Sequence, residues 1–105
     1  RALEANDIWQ TDTMYIPSFG RLQWVHITVD TFSRMIHATA ASGEKAIHIW
    51  SHCLSCFGNM RVPKEIKTDN GPGYTARNIQ LFLQQWGIWH KTGIPYNPTR
   101  QTIVE

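Results

Sequence analysis

The order in which hydrophobic patterning changes along the chain is what most constrains its fold. Three strand-like segments come first, in succession, and after residue 42 helical and extended patterning alternate. Residues 9–17 (WQTDTMYIP) are dominated by β-branched and aromatic side chains and close on Pro17. Ser18-Phe19-Gly20 turns the chain, and residues 22–30 (LQWVHITVD) set Val25, Ile27 and Val29 on one face at period two. Thr31 to Ser33 turn it again before a third strand over 34–41 (RMIHATAA). Connections this short make the three strands an antiparallel meander.

The alternating part begins at Ser42-Gly43, where Ser42 is a candidate helix cap. Residues 45–57 have helical periodicity, with Ala46, Ile47, Trp50, Cys53, Leu54 and Phe57 on one side. His48, Ser51, His52 and Ser55 fall on the other, and Gly58 is the expected stop. Val62-Pro63 leads into a short fourth strand, 64–68 (KEIKT), and Asn70-Gly71-Pro72-Gly73 is a strong turn cluster. A second helix is expected over 75–86, with Ile79, Leu81, Phe82, Leu83 and Trp86 as its apolar set and Gly87 ending it. A fifth strand over 88–92 precedes the loop GIPYNP (93–98), and Thr99 to Glu105 open a third helix. A β-β-β-α-β-α-β-(α) order predicts an α/β fold: a five-stranded mixed sheet flanked by helices, with right-handed crossovers.

At 105 residues the chain is one domain at most. A hydrophobic content of 42% against 17% charged residues lets it bury a core, which excludes disorder by composition. The net charge of +2 admits nucleic acid as a partner without requiring it. No stretch approaches the roughly 18 apolar residues of a membrane span, and no secretory leader is visible, so neither a membrane partner nor secretion is expected. The first residue is Arg1 rather than Met, which points to a piece of something longer. Cys53 and Cys56 are too few for a disulfide framework and fit a reducing compartment. Their CxxC spacing resembles half a zinc site, but His48 and His52 share the same helix, and one straight helix cannot surround a metal. They are read as packed helix residues, Asp30 as a turn carboxylate, and Trp9, Trp24, Trp50, Trp86 and Trp89 as core.

Three acids stand where elements meet. Asp12 lies inside the first strand, where Asp is depleted. Asp69 closes the fourth strand, and Glu105 stands in the last expected helix. With the first and fourth strands adjacent, Asp12 and Asp69 come close together, and a cation is the usual compensation for like charges so placed. Oxygen donors favour Mg²⁺ or Mn²⁺, and two such ions about 3.5–4 Å apart can serve phosphoryl transfer. A solvated or capping carboxylate is the plain alternative for any one of the three.

The segments WQTD, FGRLQWVHITVDTFSR, IKTDNGPGY and GIPYNP, followed by Gln101 and IVE, resemble the retroviral integrase catalytic core. The match is to the betaretroviral type that includes K-type endogenous retroviruses. Thirty-five residues separate Asp69 from Glu105, the spacing of the family's D,D-35-E signature. The resemblance implies an RNase H-like fold, cut short at its C-terminal end. The family's N-terminal zinc module, C-terminal DNA-binding module and later dimerisation helices would be absent. It implies Asp12, Asp69 and Glu105 as catalytic, metal-binding residues for two Mg²⁺ or Mn²⁺ ions. It also implies Asn70, Tyr96, Asn97, Pro98 and Gln101 as DNA contacts. The implied activity is 3′-end processing and DNA strand transfer, with viral-end and target DNA and further copies of the chain as partners, in the nucleus or virion. An RNase H would carry a Glu in its first helix, and residues 45–57 hold no acid. Thr99, Arg100 and Thr102 depart from the family's loop, which leaves open an inactive Pol remnant that at most binds nucleic acid.

Overall fold

The computed structural model describes residues 2–17 and 20–93. In chain order these form β1 (Ile8–Tyr15), β2 (Trp24–Asp30), β3 (Ile36–Ala41), α1 (Ala46–Met60), β4 (Glu65–Lys67), α2 (Pro72–Thr75), α3 (Arg77–Gln85) and β5 (Trp89–Lys91). The strands join in one sheet of order β3-β2-β1-β4-β5. β1 is central, antiparallel to β2 and parallel to β4, while β2–β3 is antiparallel and β4–β5 parallel. The meander and the mixed sheet are therefore as the sequence predicts. The expected turn at Ser18-Phe19, the loop beyond Gly93 and the helix over 99–105 lie outside the described residues.

Local chemistry explains the turns. Asp30 accepts from the backbone N–H and hydroxyl of Ser33 (3.0 and 2.5 Å) and from the N–H of Asn6 (3.0 Å). It is the turn carboxylate the sequence suggests, although it is buried. α1 departs from expectation at both ends. Its N-cap is Lys45, whose N–H donates to His48 Nδ1 (3.2 Å), and Ser42 contacts the other nitrogen of that ring instead of capping. Gly58 lies inside the helix. The helix ends at Arg61, whose N–H returns to the Phe57 carbonyl (3.1 Å) at φ 78°, before Pro63. The expected second helix is α3, which starts only at Arg77 after extended backbone at Ala76 (φ −59°, ψ 141°), and the turn cluster before it runs into a short helix of its own, α2. Gly87 ends α3 at φ 71°, a left-handed conformation that glycine adopts without strain.

The helices pack on one face of the sheet. Described side-chain bonds from α1, α2 and α3 to the strands reach Thr13, Thr28, His37, Thr39 and His90, all on that face by register. The core beneath them joins Trp9 and Ile66 of β1 and β4 to Ile49, Cys53, Cys56, Met60, Tyr74, Ile79, Phe82, Leu83 and Ile88. Burying such side chains stabilises the fold by about 1.5–3 kcal/mol each. Of the five tryptophans only Trp9 belongs to this core; Trp50, Trp86 and Trp89 are 45%, 44% and 77% exposed. The buried side of α1 is likewise rotated from the expected one. Ile49, His52, Cys53, Cys56 and Met60 face inward, while Ile47, Trp50 and Leu54 face out. In β2 the inward residues are His26, Thr28 and Asp30, and Val25, Ile27 and Val29 line the opposite, half-open face.

Candidate metal centre

Register places the two described acids. The parallel ladder of β1 and β4 pairs Ile8 with Glu65, Trp9 with Ile66 and Gln10 with Lys67. Asp12 and Asp69 each stand two residues beyond that last pair, so the register continued by two residues sets them opposite one another. Asp69 thus follows β4 instead of closing it. Both lie toward the carboxyl ends of adjacent parallel strands. From there the chain leaves in opposite directions, to β2 on one side and through α2 and α3 to β5 on the other. Open α/β sheets bind ligands at such switch points.

Asp12 is 4% exposed and its Oδ1 accepts the Thr13 N–H (2.8 Å). Asp69 is half-buried, and its Oδ1 accepts the Gly71 N–H (2.8 Å), which fastens the turn into α2. A side chain at position 71 would begin 3.0 Å from that oxygen, which accounts for the glycine. Asn70 is exposed, and a Cβ at Gly93 would lie 3.3 Å from its amide nitrogen. Gly93 therefore lies beside the turn that follows Asp69. Glu105, Tyr96, Asn97, Pro98 and Gln101 lie outside the described residues. Among the described residues no three His, Cys, Asp or Glu side chains gather as a metal set. Asp12 and Asp69 supply carboxylate oxygens, the donor type that Mg²⁺ and Mn²⁺ take, so the donors present fit such an ion.

The sequence reading missed the groups behind the acids. Tyr74 of α2 is buried, and its hydroxyl lies 2.6 Å from Thr13 Oγ1. Burial pushes the Tyr74 phenol well above its ordinary value, and the charges of Asp12 and Asp69 push it further. Thr13 Oγ1 also meets His26 Nδ1 (2.9 Å), and His26 Nε2 meets the Gly43 carbonyl (3.0 Å). Behind these, His52 Nδ1 bonds Thr39 Oγ1 (2.7 Å) and its Nε2 bonds Thr28 Oγ1 (2.8 Å), which reaches Thr11 Oγ1 (2.8 Å). Burial lowers His26, and burial together with the neighbouring His26 and His37 lowers His52 to about 3. The signal was present in the sequence. Thr11 and Thr13, His26 and Thr28, and His37 and Thr39 alternate at period two, in β2 and β3 opposite the apolar positions. Cys53 and Cys56 are free and buried, and burial pushes their thiols up to about 12 and about 11, as packed helix residues.

With this geometry in place, the relatives are informative. The Integrase core domain family matches residues 2–98. The chain is 51% identical over all 105 residues to the Gag-Pro-Pol polyprotein of Sheep pulmonary adenomatosis virus. It is 48% identical over the same length to that of Mouse mammary tumor virus (strain BR6). It spans 6% of each of these polyproteins. Among solved structures it resembles a chain of the simian T-cell lymphotropic virus intasome in complex with PP2A regulatory subunit B56 gamma. There the identity is 36% and the TM-score 0.86, over 99% of this chain and 37% of that one. It also resembles the dimeric form of the HTLV-2 integrase catalytic core domain in complex with magnesium. That match has 30% identity and a TM-score of 0.80, over 89% of this chain and 64% of that one. The chain belongs to the integrase core domain family. Its mixed sheet with flanking helices is the RNase H-like fold of the retroviral integrase cores.

Proposed function

We propose that this chain forms the catalytic core of a retroviral-type integrase, cutting near DNA 3′ ends and joining those ends to target DNA. The observation that supports the reading is the parallel β1–β4 ladder, whose last pair, Gln10 with Lys67, lies two residues before each of Asp12 and Asp69. In this reading Asp12, Asp69 and Glu105 hold two Mg²⁺ or Mn²⁺ ions. The ions supply charge compensation at the attacking and leaving oxygens of a phosphodiester. The chain's own contribution is to fix the carboxylates. The Thr13 and Gly71 amides orient one oxygen of each described acid, and Asp12 is buried. Asn70, Tyr96, Asn97, Pro98 and Gln101 contact the DNA, and Asn70 is exposed beside the Asp69 turn. A magnesium complex of a related core supports the choice of metal.

Self-association and a nuclear or virion setting belong to the same proposal. Related cores occur in dimeric and trimeric forms. An apolar groove of about 310 Å³ between α1 and α3, lined by Ile47, Trp50, Leu81 and Phe82, offers a surface for a second copy. A second reading, an inactive Pol remnant, draws on Thr99, Arg100 and Thr102. Arg100 stands where the family usually has a small residue. Mn²⁺ titration tests the metal site: Asp69→Asn is expected to remove most of the binding, and equal binding by the variant rejects the site. DNA strand-transfer assays with Arg100→Gly and Thr102→Ala separate the two readings. Activity before reversion supports the integrase, and activity only afterwards identifies an inactivated copy.

A further inference from the structure

Ladder hydrogen bonds between β1 and β4 stop at Gln10 and Lys67, two residues short of each acid. Something else must hold the strand that carries Asp12 against the turn that carries Asp69. We propose that the Tyr74–Thr13 hydrogen bond is that fastening, and that Tyr74 is a positioning residue for the pair of acids. The inference rests on the reading of Asp12 and Asp69 as metal ligands.

Donor accounting fixes the direction of the bond. The Gly43 carbonyl can only accept, so His26 Nε2 carries a proton and donates to it. His26 is neutral, since burial disfavours its charged form, so its Nδ1 is an acceptor. Thr13 therefore donates its hydroxyl proton to His26 Nδ1, and Tyr74 donates to Thr13 Oγ1. Each donor in the chain meets one acceptor, and Tyr74 stays a protonated donor, its phenol pushed upward by burial.

The fastening is anchored at both ends. Thr13 adjoins Asp12, and its amide holds Asp12 Oδ1. Tyr74 donates its own N–H to the Gly71 carbonyl (2.9 Å), while the Gly71 N–H holds Asp69 Oδ1. The route from one carboxylate to the other is thus Asp12, Thr13, Tyr74, Gly71, Asp69. α2 itself is seated tightly against the start of α1 and the residue before its cap. A Cβ at Gly73 would lie 2.3 Å from the Glu44 carbonyl oxygen and 2.5 Å from Ile49 Cδ1. The Gly43-Glu44 loop, whose Gly43 carbonyl accepts the His26 N–H, is also the one that backs Gly73, so the contacts close a ring around Thr13.

Removing the hydroxyl without the ring tests this. Groups that orient metal ligands typically change metal affinity 10–100-fold when lost. In the intact protein, Tyr74→Phe is expected to weaken Mn²⁺ binding, read by electron paramagnetic resonance, about tenfold. Thr13→Val is expected to do the same, the double variant no more than either alone, and Thr13→Ser to retain wild-type affinity. Thr28→Val, which deletes a buried hydroxyl on the same face away from the acids, is expected to lower the melting temperature and leave Mn²⁺ affinity unchanged. Should Tyr74→Phe fail to fold, Thr13→Val against Thr13→Ser reads the same bond. Unchanged affinity in folded Tyr74→Phe or Thr13→Val, where Asp69→Asn abolishes binding, overturns the fastening and leaves the metal site standing. Unchanged affinity in Asp69→Asn overturns both.

Discussion

The two halves of the helix-covered face are built from different materials. Under β1, β4 and α3 the core is apolar, with Trp9, Ile66, Ile79, Leu83 and Ile88 in contact and Trp9 and Phe57 rings 6.0 Å apart. Between α1 and the β2–β3 hairpin the same layer is made of hydroxyls and imidazoles: Thr28, Thr39, His26, His37 and His52. The first half is stabilised by area removed from water, a non-directional term that depends little on pH. The second is stabilised by bonds whose donors and acceptors must match, and unmatched groups there cost about 1–3 kcal/mol each. The difference teaches where geometry is specified. The apolar half sets how firmly the sheet and helices adhere. The polar half sets register and angle, and it is continuous with the Tyr74–Thr13 bond at the acids.

Substitutions can break this contrast. Leu83→Ala, in the apolar half, is expected to have the largest effect, a loss of about 2–5 kcal/mol in chemical unfolding, equal at pH 5 and pH 8. If the loss differs strongly between those pH values, the two halves are not separable. Acidification should act through the buried imidazoles, His26 and His52 in the polar half and His90 of β5 in the other. The folded pKa of His52 is depressed from 6.5 to about 3, so between those values the unfolded chain binds a proton that the folded chain does not. Stability is therefore level above pH 6.5 and falls as pH drops toward 3. His52→Gln should flatten part of that slope, the remainder coming from His26 and His90, which burial also lowers. An unaltered slope in His52→Gln would remove His52 from the account. Thr39→Val should have the smallest effect, about 1 kcal/mol, since it removes one bond at a half-buried position. A loss as large as that of Leu83→Ala would show that the polar half carries bulk stability as well.

Much of the architecture was legible because it depends on periodicity and turn chemistry. Asn70-Gly71-Pro72 and Asp30 through Arg34 announce their turns by residue type, and three closely connected strands have little choice but a meander. Helix faces were less legible. Ile47, Trp50 and Leu54 are as apolar as Ile49 and Cys53, and periodicity alone puts the apolar arc of α1 toward the sheet. The inward side is instead the one whose His52 finds Thr28 and Thr39. Likewise four of the five tryptophans stay out of the core cluster, because a large ring needs a matching space and not only a hydrophobic character.

By itself the sequence determined the order of the strands and the larger helices, the antiparallel meander and the places of its main turns. Those follow from patterns that neighbouring residues impose on one another, and from motifs whose spacing survives unfolding. Only the tertiary structure decided that the inward face of β2 is polar, that β4 stops short of Asp69, and that Tyr74 reaches Thr13. Sixty-one positions separate those two residues. A bond across that distance exists only once β1, the Gly43 loop and α2 have been brought together, and no local pattern encodes which of several threonines the phenol will meet.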